Sequence, residues 1–264
     1  MIEGWWIFPL LGVAAGVAAG LLGIGGGLVI IGVLVWLLPS FGVPPEATMH
    51  AALASSLASI VLTASSSARA HHRRGSVLWP TVAWMVPGLL LGGWLGSFVA
   101  VALEGEVLRR CVAVYCFLVA LQMAFGGPRG DAARPDVVPV GWLMSAAGTG
   151  IGAVSAVVGI GGGSLTVPLL VWRGVVPVRA VGTSAACGIF IAIASAAGYA
   201  MNAPLGALPA HAVGYVYLPA AIGIALGSVL AAPLGTRLAH AISGVALKRV
   251  FAGFMVLVGI SLLV

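Results

Sequence analysis

A glycine-rich run inside apolar sequence occurs twice in this chain. Gly23-Ile24-Gly25-Gly26-Gly27 recurs in the second half of the chain as Gly159-Ile160-Gly161-Gly162-Gly163. Each glycine costs about 1 kcal/mol relative to alanine inside a helix, so each run predicts a helix break. Within a membrane, a broken helix is tolerated only where its freed backbone groups are buried in protein or line a cavity. Paired breaks at corresponding positions of two halves indicate the binding site of a transporter.

The composition predicts a membrane protein. Of the 264 residues, 61% are hydrophobic and 7% are charged, whereas soluble domains carry about 25% charged residues. The formal net charge of +6 comes from Lys and Arg residues that flank apolar spans, as the positive-inside rule expects. The sequence has no alternation of aromatic and basic residues of the kind that would indicate a nucleic-acid surface. We therefore expect an all-α polytopic membrane protein with a single transmembrane domain and no nucleic-acid partner.

The apolar segments divide into two similar halves. The separation between Pro80 and Pro219 along the chain equals that between Leu108-Arg109-Arg110 and Leu247-Lys248-Arg249, which predicts an internal duplication. The repeats span 5–126 and 138–263, with a linker at 127–137. Eight segments are expected, at 5–38, 48–69, 77–102, 107–126, 138–171, 178–201, 212–238 and 246–263.

Segments 1 and 5 are too long for one ordinary crossing. A helix of about 34 residues rises about 51 Å, against a hydrocarbon core of about 30 Å. Each segment either crosses once as a broken, tilted helix or turns at the glycines and leaves on the side it entered. If all segments cross, the Lys and Arg residues divide 5 to 7 between the two sides, but re-entrant segments give 10 to 2. The positive-inside rule favours re-entrant segments, inverted repeats and both termini on the periplasmic side.

Inverted repeats would bring the two glycine turns together near the middle of the membrane. A helix that starts at each turn has unpaired N–H groups and about half a positive charge at its N-terminus, which suits an anion. The competing interpretation is that the glycines only permit close helix packing. Hydroxyl groups in the segments that follow can donate to an oxyanion or bond between helices. The predicted substrate-binding residues are Gly25, Gly26, Gly27, Ser55, Ser56, Gly161, Gly162, Gly163, Thr183 and Ser184.

The sequence offers no catalytic constellation. No acidic or basic residue lies in the middle of a span, and the six acids fall in loops or at segment ends. Cys111, Cys116 and Cys187 have no metal-ligand or disulfide spacing and are expected to pack as small hydrophobic residues. His50 is the one ionisable group near a membrane entry that can shuttle a proton, although an interfacial role is the simpler interpretation. We expect no enzyme activity, no metal and no cofactor.

Longer motifs resemble a known family. The glycine runs with their flanking residues, the Gly182-Thr183-Ser184 run and the loop from His71 to Trp79 resemble the sulfite exporter TauE/SafE family of membrane permeases. The resemblance covers nearly the whole chain. It implies a bacterial inner-membrane protein that moves sulfur-containing or organic anions such as sulfite or sulfonates. Ser55-Ser56 departs from the commoner Thr-Ser of that family but keeps the hydroxyl.

These observations predict a secondary transporter for a small sulfur-containing oxyanion that works by alternating access. A passive anion channel and a non-transporting membrane scaffold remain alternatives, and an intramembrane enzyme lacks candidate residues. Besides the anion and membrane lipid, the expected partner is a second copy of the chain. The motif Gly92-Gly93-Trp94-Leu95-Gly96 is typical of close helix contacts in such homodimers.

Overall fold

A computed structural model describes residues 4–22, 26–125, 137–241 and 244–263. Gly25 of the predicted site and most of the 127–137 linker lie outside these residues. The described elements are α1 (Ile7–Leu22), α2 (Gly27–Leu37), a 3-10 turn (Leu38–Phe41), α3 (Pro45–Arg73), α4 (Trp79–Ala102), α5 (Gly105–Phe125), α6 (Trp142–Val158), α7 (Gly163–Trp172), α8 (Pro177–Met201), β1 (Ala212–Val213), β2 (Val216–Tyr217), α9 (Leu218–Ala241) and α10 (Gly244–Ser261).

The prediction of an all-α polytopic membrane protein is confirmed. Within the described ranges, α3, α4 and α8 are long and apolar enough to cross a membrane, and several further apolar helices are shorter. Predicted segments 1 and 5 are each divided into two helices, α1 with α2 and α6 with α7. The small antiparallel ribbon of β1 and β2 was not predicted, and it lies where the seventh segment was expected to begin.

The chain reverses direction between α1 and α2, a pair that we call the first hairpin. The rings of Phe8, near the start of α1, and Phe41, after the end of α2, lie 4.9 Å apart. Gly26 precedes α2 with a φ of +64°, a left-handed conformation that glycine adopts without a steric penalty. A Cβ on Gly26 would lie 2.6 Å from the carbonyl oxygen of Ala15. The turn therefore packs against the side of α1.

A second reversal separates α6 from α7, a pair that we call the second hairpin. Gly159 ends α6 with a φ of +72°, and Gly162 precedes α7 with the same φ. The two outer ends of this hairpin also meet, because a Cβ on Gly174 would lie 3.7 Å from Val137. The second helix of each hairpin thus begins at a glycine of the repeated run, at Gly27 and at Gly163.

Each hairpin is fastened to the opposite half of the chain by glycines. Helix α1 runs parallel to α9, with Gly12 against the backbone of Ile224 and Gly16 against that of Ser228. Helix α6 runs parallel to α4, with Gly148 against Met85 and Gly152 against Leu89. Without side chains on these glycines, the helix backbones approach closely, as is common in membrane helix pairs.

The sequence motif that suggests a dimer interface contains glycines that pack against other helices of the same chain. Gly92 and Gly96 pack against the backbone of α6 at Thr149 and Ala153, while Gly93 faces α8 at Ser195. This motif is therefore occupied by contacts within one molecule. This motif therefore does not support the homodimer, which stays a prediction.

Helices α3 and α8 form the centre of the bundle and run antiparallel. A Cβ on Gly182 would lie 3.2 Å from His71, and one on Gly188 would lie 3.7 Å from Ala64. Residues 47–57 of α3 are all buried, as is most of α8 from residue 182 to residue 195. Both helices lie against the turns of the hairpins, so this core sets the geometry of the predicted site.

Candidate functional site

The turns of the two hairpins touch each other in the core. A Cβ on Gly27 would lie 2.9 Å from the carbonyl oxygen of Gly159 and 3.3 Å from the Cα of Ile160. Across the second turn, a Cβ on Gly188 of α8 would lie 2.9 Å from the carbonyl oxygen of Gly161. Gly27 and Gly159, which belong to opposite halves of the sequence, are therefore in backbone contact. Only glycine permits this approach, because a Cβ on Gly27 would collide with the carbonyl oxygen of Gly159.

Ser56 of α3 joins the two turns. Its buried Oγ lies 3.0 Å from the carbonyl oxygen of Gly159 and 3.4 Å from that of Gly27. The hydroxyl carries one hydrogen and shares it between these two acceptors. Ser56 thus holds a hairpin from each half of the chain, and the bond to Gly159 is the shorter.

We expect Ser56→Ala to lower the free energy of unfolding by about 1–3 kcal/mol, because two buried carbonyl groups lose a donor. The melting temperature of the purified protein in detergent measures this effect. Ser65→Ala is the matched control, since the Ser65 hydroxyl bonds within its own helix to Val61. Equal melting temperatures for the two variants would contradict the bridging role of Ser56.

Ser55 and Thr183 each accept a hydrogen bond from a helix start in the other half of the chain. The backbone N–H of Tyr217, directly before α9, donates to the Oγ of Ser55 over 3.0 Å. The backbone N–H of Leu78, directly before α4, donates to the Oγ1 of Thr183 over 3.0 Å. These oxygens therefore supply the helix starts with an acceptor, which was not predicted. Their role in substrate binding stays a prediction.

Ser184 differs from the other three predicted hydroxyl residues. Its side chain is 2% exposed, and its Oγ has no hydrogen-bond partner within the described part of the chain. Ser184 lies one helical turn before Gly188, the residue that contacts Gly161. A buried hydroxyl without a partner costs about 1–3 kcal/mol, so this group has an unused donor near the second turn.

Backbone N–H groups are the main positive groups at the turns. The first hydrogen bonds of α7 run from the N–H groups of Leu165 and Thr166 to the carbonyl oxygen of Gly162. The N–H groups that precede them, at Gly163 and Ser164, belong to the first turn, which has no intrahelical acceptors. Helix α2 begins in the same way, with the N–H of Ile30 bonded to Gly26. Each turn thus offers a helix N-terminus with its partial positive charge.

His50 lies buried at the end of the bundle that holds the β-ribbon. Its Nε2 donates over 3.2 Å and 3.1 Å to the carbonyl oxygens of Ala100 and Leu103 at the end of α4. Its ring stacks on Tyr215 at 4.8 Å, and burial raises the pKa of the Tyr215 phenol, which therefore stays neutral. A helical rise of about 9 Å separates His50 from Ser56. These contacts give His50 a role in fastening α3 to α4.

The second hairpin carries hydroxyl residues that the sequence analysis did not single out. These are Ser155 in α6 and Ser164 and Thr166 in α7, all buried. The Ser164 hydroxyl contacts that of Tyr115 in α5. A signal was present in the sequence, since all three lie close to the glycine run. The hydroxyl candidates predicted from the sequence lie only in the segments that follow the hairpins, whereas these three lie within the second hairpin.

A groove of about 550 Å³ lies between α4, α5 and α6. Its lining is mostly apolar and includes Val114, Leu118 and Val154, with Arg110 as a charged member. None of the nine predicted site residues that the structure describes lines it. One lining residue, Tyr115, contacts Ser164 at the start of α7, so the groove adjoins the second hairpin.

Comparisons with known proteins agree with the resemblance seen in the sequence. The family described as Sulfite exporter TauE/SafE matches residues 8–262. A Haemophilus influenzae protein named "Probable membrane transporter protein" is 34% identical over 256 residues, which cover 96% of each chain. A Xylella fastidiosa protein with the same name is 29% identical over 172 residues, which cover 64% of each chain. No solved structure matches the chain significantly.

Proposed function

Because this chain belongs to the sulfite exporter TauE/SafE family, we propose that it is a secondary transporter for a small sulfur-containing oxyanion such as sulfite or an organosulfonate. The observation that carries the proposal is the contact between the two glycine turns, Gly27 against Gly159. Helix α2 begins at Gly27 and helix α7 begins four residues after Gly159, and a helix N-terminus attracts an anion without any charged side chain. Discontinuous helices that meet in this way form the binding sites of many secondary transporters.

Matched glycine contacts in the two halves support a pair of structural repeats. Gly16 meets the carbonyl oxygen of Ser228 and Gly152 meets that of Leu89, each at 2.6 Å from the position of a Cβ. Gly16 and Gly152 stand at the same position ahead of their respective glycine runs. Their partners, Leu89 and Ser228, are separated along the chain by the same interval as the two matched prolines of the sequence repeat.

Matched hydrogen bonds support the same pair of repeats. Leu78 and Tyr217, the two N–H donors to Thr183 and Ser55, each lie two residues before the matched proline of their own half, Pro80 or Pro219. Each donor therefore stands at the equivalent place in its repeat and bonds to a hydroxyl in the other one. Two repeats with one fold and opposite orientations would make these contacts in pairs.

The distribution of basic residues supports inverted repeats in the bacterial inner membrane. Arg73 at the end of α3 and Arg173 after α7 lie at the end of the bundle where α8 begins, while Arg109 and Arg110 lie at the opposite end, where α5 begins. If both hairpins are re-entrant, the end of the bundle where α8 begins carries 10 of the 12 Lys and Arg residues. By the positive-inside rule it faces the cytoplasm, and both chain termini face the periplasm.

The contacts between the two halves of the chain support alternating access as the mechanism. Each hairpin packs on a helix of the other half of the chain. Movement of one half would therefore carry the hairpin of the other half with it. Rocking of one repeat against the other would open the turns first to one side of the membrane and then to the other. Ser56 and the glycine contact lie where the two halves must part.

Uptake by proteoliposomes that contain the purified protein tests the proposal. We expect saturable uptake of labelled sulfite or labelled sulfoacetate, driven by a proton or sodium gradient and inhibited by the other compound. Protein-free liposomes are the control. Flux that does not saturate would replace the transporter with an anion channel. No uptake of either compound under either gradient would contradict the proposal and favour another anion or a scaffold.

A further inference from the structure

Three buried hydroxyl groups around the second hairpin lack hydrogen-bond partners. Ser155 and Thr166 are fully buried and Ser184 is 2% exposed, and no described group bonds to any of the three side-chain oxygens. Among the described residues, the only other unpartnered buried hydroxyl belongs to Thr81, in the first turn of α4. Leaving such a group unpaired costs about 1–3 kcal/mol, so three of them on adjoining helices call for a ligand.

Two of these groups lie at the N-terminus of α7. The Oγ of Ser155 is 3.3 Å from the position of a Cβ on Gly162, the residue that precedes α7. Thr166 is in the first turn of α7, and its N–H donates to the carbonyl oxygen of Gly162 over 2.8 Å. The unpaired hydroxyls therefore lie beside the unpaired N–H groups of the same helix start.

Several hydroxyl groups on α3 donate to an acceptor in their own helix. Ser59 donates to Ser56 over 2.7 Å, and Ser65 donates to Val61 over 2.6 Å. This local bond is the ordinary solution for Ser and Thr in membrane helices. Ser155, Thr166 and Ser184 are also helical but do not make it, so their donors are available to a ligand.

The first hairpin has no equivalent of these hydroxyl groups. When the two glycine runs are aligned, Ser155 corresponds to Ala19 and Thr166 corresponds to Ile30. Ile30 is 1% exposed and belongs to the main hydrophobic core. The two hairpins share a backbone geometry, but only the second combines it with buried hydroxyl donors.

We propose that the substrate anion binds at the second hairpin alone, held by the hydroxyls of Ser155, Thr166 and Ser184 and by the N–H groups that begin α7. The inference rests on the proposed transport function and specifies its site. Three hydroxyl donors match the three oxygens of sulfite or of a sulfonate group. The first hairpin supplies an apolar wall that packs against this site and moves relative to it.

The variants Ser155→Ala and Thr166→Val test the inference, because each removes a hydroxyl with little change in shape. We expect each to raise the KM for uptake of labelled sulfite or sulfoacetate at least about tenfold, which corresponds to about 1.4 kcal/mol. Thr166→Ser is expected to restore much of the affinity. Thr63→Val is the matched control, since the Thr63 hydroxyl bonds to its own helix, and its KM should equal that of the wild type.

Ile30→Val provides the comparison in the first hairpin, where a small change in an apolar wall should leave KM unchanged. Wild-type KM values for Ser155→Ala and Thr166→Val would overturn the inference while uptake itself stands. An equal rise in KM for Ile30→Val would overturn the asymmetry between the hairpins. Wild-type protein without uptake of either compound would instead overturn the proposed function. Each variant is compared only as a monodisperse protein, and Thr166→Ala replaces Thr166→Val if that protein aggregates.

Discussion

Gly162→Ala is expected to reduce uptake at least about tenfold while the protein still inserts into the membrane. The backbone at Gly162 has a φ of +72°, which costs alanine about 1–2 kcal/mol. The new Cβ would collide with the Cδ1 of Ile191 and would lie 3.3 Å from the Oγ of Ser155. Relief of this crowding rotates the Ile191 side chain or shifts the start of α7, and a displacement of about 1 Å at a site can cost a hundredfold in rate. Proteoliposome uptake and gel filtration measure the two outcomes.

Gly75→Ala is the control that separates crowding from backbone strain. Gly75 has a φ of +66°, close to that of Gly162, but a Cβ there meets no described atom within 4 Å. We expect Gly75→Ala to transport at the wild-type rate. Equal losses in the two variants would mean that strain alone is responsible, and wild-type uptake by Gly162→Ala would remove the turn from the site.

Gly92→Leu is expected to prevent formation of the folded bundle. A Cβ on Gly92 would overlap the carbonyl group of Thr149, and the neighbouring turn of α4 meets α6 in the same way at Gly88 and Ser145. Because the obstacle is backbone, relief requires α4 and α6 to separate along their length. The expected loss is about 3 kcal/mol or more, visible as a lower melting temperature or as aggregation in detergent gel filtration.

Gly150→Leu is the matched control for this pair of helices. Gly150 lies on α6, and a Cβ there would meet nothing within 4 Å. This variant should melt at the wild-type temperature. A Gly92→Leu protein that is as stable as the Gly150→Leu protein would show that α4 and α6 do not pack as closely as described.

Helix breaks and helix starts could be predicted from the sequence because they depend on local chemistry. The glycine runs predicted where α2 and α7 begin, and the helices start at Gly27 and Gly163. The apolar runs likewise predicted the all-helical fold. Reversal at the glycines was one of two alternatives, and only the charge count favoured it. The contact between Phe8 and Phe41 resolves this point for the first hairpin.

The side chains of the candidate site were predicted by type but not by partner. The sequence predicts four equivalent hydroxyl groups, those of Ser55, Ser56, Thr183 and Ser184. In the fold, the Ser56 hydroxyl bonds to both hairpins. Ser55 and Thr183 each accept a hydrogen bond from the backbone N–H that precedes a helix, and Ser184 has no described partner. Neighbouring residues on one helix point in different directions, so adjacent serines can meet entirely different surroundings.

The sequence by itself determined that this is a helical membrane protein with two glycine-broken segments, because hydrophobicity and backbone freedom are properties of the residues themselves. Only the tertiary structure decided which groups face one another at the turns. Ser56 forms a hydrogen bond with Gly159, 103 residues away along the chain, and Ser55 forms one with Tyr217, 162 residues away. Such bonds depend on how the helices pack, since a hydrogen bond forms only when packing brings donor and acceptor to about 3 Å.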